Sequence, residues 1–262
     1  MPDYSPPLDK LLTMGEPQGG DEWPDYLKLG LGPEHVPDLI RMATDPELNR
    51  GDPESREVWA PLHAWRTLGQ LRAEAAVGPL LTLLQDSEEE GDDWLFEEVR
   101  RVFGLIGSPA LATLEAFVAD RSHGTYSRWA ALDGIKEVAE EYPETRSECV
   151  AALTRQLEQG VGDDPVVNGV VVGALLDLHA VESAPVMEQA FAADAVDESI
   201  SGGWEDVQYN LGLTDKPPAR RRYLDPWLPG SLPSRPGRTA KQKAKTRRKQ
   251  AKRARKRNRK RR

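Results

Sequence analysis

Three tryptophans, Trp59, Trp94 and Trp129, stand 35 residues apart, and the stretches behind them share one plan. Each opens a helical segment, then a short break, then a second helical segment. The first unit runs WAPLHAWRTLGQL then RAEAAVGPLLTLLQD, the second WLFEEVRRVFGLIG then SPALATLEAFVAD, the third WAALDGIKEVAEEYPE then TRSECVAALTRQLEQ. A fourth unit lacks the Trp (VVNGVVVGALLDLHA, ESAPVMEQAFAAD), and an incomplete one, PEHVPDLIRMATD, precedes them all. Leu68-Gly69 and Phe103-Gly104 keep the same offset of 35. A two-helix unit of this length cannot bury its apolar face alone, so neighbouring units must cover one another. The expected fold class is therefore all-α, a short α-solenoid of about four to five helical pairs.

Within Trp59–Leu71 the apolar residues at 59, 62, 65, 68 and 71 fall on one helical stripe, and Val77, Leu80, Leu81, Leu83 and Leu84 repeat the pattern. Strand-like alternation is nearly absent; the run Val170–Val172 is the one serious β candidate. Recurrence at one structural position predicts that the three tryptophans pack between helices rather than line a ligand groove.

The pattern Leu68-Gly69-Gln70-Leu71 through Leu83-Leu84 resembles HEAT-type repeats, and the short HEAT-like repeats of phycobilisome-lyase-related proteins in particular. The likeness covers about residues 33–191. The opening YSPPLDKLLTMGE, the segment DYLKLGLGPEHVPDLIRMATD and the closing GGWEDVQYNLGL resemble a bacterial family of HEAT-like proteins of unknown activity, the DUF1186 type. Some members of that family end in a Cys-rich zinc module of the SEC-C kind; this chain has no cysteine after Cys149. The resemblance implies a fold and no activity.

Charge divides the chain sharply. Residues 1–215 hold 14 basic and 42 acidic side chains, a net of −28, whereas residues 216–262 hold 21 basic and one acidic, a net of +20. Six prolines between Lys216 and Gly237 forbid a regular helix and predict an extended spacer. Beyond it, Arg238, Lys241, Lys243, Lys245, Arg247, Arg248, Lys249, Lys252, Arg253, Arg255, Lys256, Arg257, Arg259, Lys260, Arg261 and Arg262 form a tail without one acid. Like-charge repulsion predicts disorder in the free tail. The domain reading is an N-terminal extension with short helices (1–32), the repeat array (33–215), the Pro-rich linker (216–237) and the basic tail (238–262). The single cysteine, the lack of a secretory signal and the interrupted apolar run Val166–Leu178 point to a cytoplasmic protein without a membrane span.

Candidate chemistry is sparse. His35, His63, His123 and His179 are scattered, and no HExxH, CxxC or P-loop occurs, so neither metal nor cofactor is implied. Cys149 lies on an apolar face with Val150 and Leu153, as a buried thiol would. Asp86-Ser87-Glu88-Glu89-Glu90-Gly91 with Glu97 traces a calcium-loop outline. Glu at its third and fifth positions crowds a cation, and Asp92 and Asp93 suit a helix start better. The acids Asp86, Glu88, Glu89, Glu90, Asp92, Asp93, Asp163 and Asp164 fall in inter-unit loops. These form either a solvated rim or a docking edge for a basic partner, the chain's own tail included. A 25-residue tail reaches ~80–90 Å when extended, enough to fold back.

The function these features favour is a non-enzymatic scaffold. The acidic array would recognise an unidentified protein partner, and the tail would attach nonspecifically to RNA, DNA or ribosome-like polyanions. Alternatives are a phycobilin-lyase-like modifying enzyme, a tail autoinhibited by the acidic rim, and electrostatic attachment to an anionic membrane.

Overall fold

The computed structural model describes residues 4–17, 23–52, 54–88 and 93–218, and all regular structure among them is helical. Its packing divides into two compact units, one ending at Ala110 and one beginning at Leu111. The first contains α1 (Asp9–Met14), α2 (Val36–Thr44), α3 (Pro46–Asn49), α4 (Ala60–Gln70), α5 (Val77–Asp86) and α6 (Asp93–Ile106). The second contains α7 (Leu111–Ala119), α8 (Thr125–Glu141), α9 (Arg146–Glu158), α10 (Pro165–Asp177), α11 (Ala184–Ala192), α12 (Glu198–Ser201) and α13 (Trp204–Asn210).

The repeat is visible in the turns. A single turn of 3-10 helix leads into each second helix: Pro33–His35 into α2, Glu74–Ala76 into α5, Ser108–Ala110 into α7, Pro143–Thr145 into α9 and Val181–Ser183 into α11. After α4 and α10 the chain reverses through the same left-handed stop. Arg72 (φ 52°) and His179 (φ 51°) occupy the left-handed position, and the next N–H reaches back five residues, Ala73 to Leu68 O (3.0 Å) and Ala180 to Leu175 O (2.9 Å). Gly107 (φ 83°) takes the same left-handed position 35 residues after Arg72, and its own N–H reaches Phe103 O at 3.1 Å. At the next offset the stop changes, because Pro143 drives the preceding Tyr142 toward extended backbone (φ −126°).

Trp59 and Trp94 are 5 % and 6 % exposed and meet edge to face at 5.5 Å between ring centroids. Trp129 departs from the expectation of equivalent burial and is half-buried. Trp59 directly precedes α4 and Trp94 is the second residue of α6, but α8 starts four residues earlier than Trp129. The 35-residue register holds deeper in the helices, where Leu68, Phe103 and Val138 are all fully buried.

Val170–Val172 is helical, not strand, since it sits within α10. The sequence hid this because α8, α9 and α12 all pack against α10, and a helix covered on every side shows no amphipathic period. Gly169 makes one of these approaches possible: a Cβ there would lie 3.0 Å from Asp197 O and from Ile200 Cβ.

The stretch expected as an extension is part of the first unit's core. Tyr4, Leu8, Leu11, Tyr26 and Leu31 are all buried. Among the described residues no single helix is long and apolar enough to cross a membrane. A cavity of about 70 Å³ lies among Val118, Leu132, Ile135 and Ala152 beside the Arg155–Glu115 ion pair (2.8 Å). It has room for about two waters and falls well short of the ~300 Å³ a small-molecule site needs.

Candidate functional site

The sequence-predicted sites separate once placed. All sixteen basic tail residues lie outside the described residues, as do Glu89, Glu90 and Asp92. Asp86 ends α5 and is exposed, Glu88 follows it half-buried, and Asp93 opens α6. Glu97 therefore sits a turn inside α6. Among the described residues no three His, Cys, Asp or Glu side chains gather as a metal-binding group.

Asp163 and Asp164 do not form a free docking edge. The Asp163 carboxylate is 4 % exposed and accepts both arms of the Arg128 guanidinium, at 2.8 and 2.6 Å. Arg121 stands 3.7 Å away, and the Asp164 N–H donates to the same carboxylate at 2.8 Å. The Arg128 hydrogen bonds hold the Asp163 carboxyl below the usual carboxylate range. Asp164 caps α10, accepting the Val166 N–H at 3.0 Å and the Thr125 hydroxyl at 2.5 Å. Other loop acids serve the backbone in the same way. Asp45 receives Glu47 N–H, Asp52 receives Glu54 N–H, Asp120 receives Ser122 N–H, and Asp197 receives Ser199 N–H. Asp45, Asp164 and Asp197 thus start helices, where anions complement the macrodipole, and Asp52 and Asp120 close turns.

The first unit holds a second buried ion pair that the sequence reading missed. Arg66 on α4 donates to both oxygens of Glu98 on α6, at 2.8 and 2.6 Å, with both side chains under 10 % exposed. Around it gathers a polar cluster. Trp23 lies against the Arg66 and Arg101 guanidiniums, at 5.0 and 4.4 Å from its ring centroid. The Tyr26 hydroxyl is 2.8 Å from His63 Nδ1, and His63 Nε2 is 2.8 Å from the Gly15 carbonyl. The Tyr26 N–H donates to Gln70 Oε1, and Gln70 Nε2 donates to the Pro24 carbonyl. Burial pushes the Tyr26 phenol up to about 12 and the His63 imidazole down from its ordinary value. The repeat offers only a partial signal for these pairs. Arg128 and Asp163 are one 35-residue period apart, and Arg66 and Glu98 are 32 apart.

At the heart of this cluster Tyr26, His63, Arg66 and Glu98 are all buried, and their hydrogen bonds tie α4 to α6, to the end of α1 and to the chain around Tyr26. Cys149 is fully buried beside Thr145, and burial raises its thiol. Positive charge in the described chain is largely neutralised. Lys28, Arg41, Arg66, Arg121, Arg128, Lys136, Arg146 and Arg155 each lie within 4.0 Å of a carboxylate. Lys10 donates to the Leu29 carbonyl at 2.8 Å. No family model matches the chain, and neither a curated protein nor a solved structure matches it.

Proposed function

We propose that this protein is a non-enzymatic binding scaffold. Its helical pairs act as a short HEAT-like array that recognises a protein partner, and residues 238–262 attach it to RNA or DNA phosphates without sequence choice. One observation carries the reading: the segregation of charge. Sixteen cations without an acid stand beyond a Pro-rich spacer, on a body of net −28. The packing supports it, because at least eight of the body's 14 basic side chains are already matched to carboxylates and leave little to hold phosphate. The tail has no aromatic residue to stack on bases, so phosphate contact is its mode.

The test is a salt series of duplex RNA and DNA binding, on the full chain and on a chain ending at Asp215. If about 6–10 charges engage phosphates, log K falls against log salt with a slope of about −5 to −9. The shortened chain should lose binding and keep its helical content. Equal binding by both chains would move the contact onto the helical body and sink the assignment.

A further inference from the structure

We propose that His63 is a proton-operated clasp that holds residues 23–31 and the end of α1 against α4 and α6, and that acid opens it. The ring is tied to both segments, through Tyr26 at Nδ1 and the Gly15 carbonyl at Nε2. A carbonyl only accepts, so Nε2 carries the hydrogen of the neutral ring. Nδ1 is then bare and accepts from the Tyr26 hydroxyl. That arrangement satisfies both buried ring nitrogens.

A second proton on Nδ1 breaks this pattern. The Tyr26 hydroxyl must turn its hydrogen away from the ring, with its oxygen already facing the Arg66 guanidinium. The nearby carboxylate, Glu98, is engaged by both arms of Arg66. Protonation thus strands a buried hydroxyl hydrogen and sets an imidazolium beside a guanidinium. The charged surroundings are otherwise few. The half-buried acid of α1 is Asp9, Glu57 lies on the turn before α4, and the Arg56 stem lies against Gly15. Arg101 on α6 stands behind Trp23, and the buried residues of α2 and α3 are apolar.

Opening carries His63 to water, where its ordinary value of about 6.5 returns. The closed form keeps its full advantage above that value, because a ring with a lowered folded-state value binds fewer protons than the released one. Below about pH 6.5 the open-to-closed ratio rises about tenfold per unit, until the lowered folded-state value is reached.

The reporter is the Tyr26 amide, which the clasp keeps bonded to Gln70. Hydrogen exchange on the full chain, corrected for intrinsic rates, should show its protection falling between pH 7.5 and 5.0, by up to about thirtyfold, while α10 amides hold. His63→Gln can keep both hydrogen bonds and cannot titrate, so its profile should be flat. Unchanged protection at pH 5.0 or an equal fall in His63→Gln would each overturn the clasp.

Discussion

The two buried ion pairs do the same mechanical work in different surroundings. Arg66 of α4 reaches forward to Glu98 in α6, and Arg128 of α8 reaches forward to Asp163 just before α10. Each ties the first helix of one pair to the next first helix. In the first unit the anion comes from inside a helix, and aromatic residues and a neutral imidazole surround the pair. In the second unit it comes from a loop, where a backbone N–H and a second guanidinium also hold it. A longer Glu arm and a shorter Asp arm thus span similar steps. The difference lies in how much other support each charge has.

The largest expected effect tests that difference. Glu98→Gln leaves Arg66 buried without its anion and should cost about 3–5 kcal/mol in urea unfolding. Asp163→Asn should fall toward the lower end of that range. Arg128 keeps the Val118 carbonyl at 2.8 Å, and Arg121, half exposed, can turn to water. The reverse ranking would break the comparison. The two regions should also separate by pH. The His63 contribution fades as pH falls below about 6.5. Asp163, with its folded-state value lowered by Arg128, contributes above the ordinary carboxylate value and fades only as pH drops below it.

The tryptophans come next. Trp59→Ala and Trp94→Ala should each cost about 3–5 kcal/mol, and a double-mutant cycle should show about 0.5–1.5 kcal/mol of coupling across their edge-to-face contact. Half-buried Trp129→Ala should cost less than either; equal losses at all three sites would restore the equivalence that the fold denies. The smallest effect sharpens the picture within one helix. Gly169→Ala drives a methyl against Asp197 O and Ile200 and should lose about 1–3 kcal/mol. Gly173→Ala meets nothing within 4 Å and should gain about 0.5–1 kcal/mol in thermal unfolding.

The all-helical class was legible from the Trp period and the apolar stripes, since both follow from the geometry of a covered helix face. The buried Cys149 was legible for the same reason. The roles of Asp163 and Asp164 were not. A pair of acids in a loop looks alike whether it meets water, caps a helix or neutralises an arginine 35 residues away. His63 was equally opaque, because its partners Gly15 and Tyr26 come from 48 and 37 residues earlier in the chain. Arg72 and His179 show a related limit. Their left-handed backbone is imposed by the helix stop, at positions where glycine would be the expected signal.

The all-round covering of α10 has a consequence during synthesis. The helix is complete once Asp177 is made, but one of its faces waits for α12, which ends at Ser201. At roughly 5–20 residues per second that is an interval of about 1–5 s in which a valine-rich surface stands bare beside the ribosome. Premature termination within those 24 codons would release a chain whose α10 lacks that cover, and a chaperone that shields apolar segments has its clearest opportunity there.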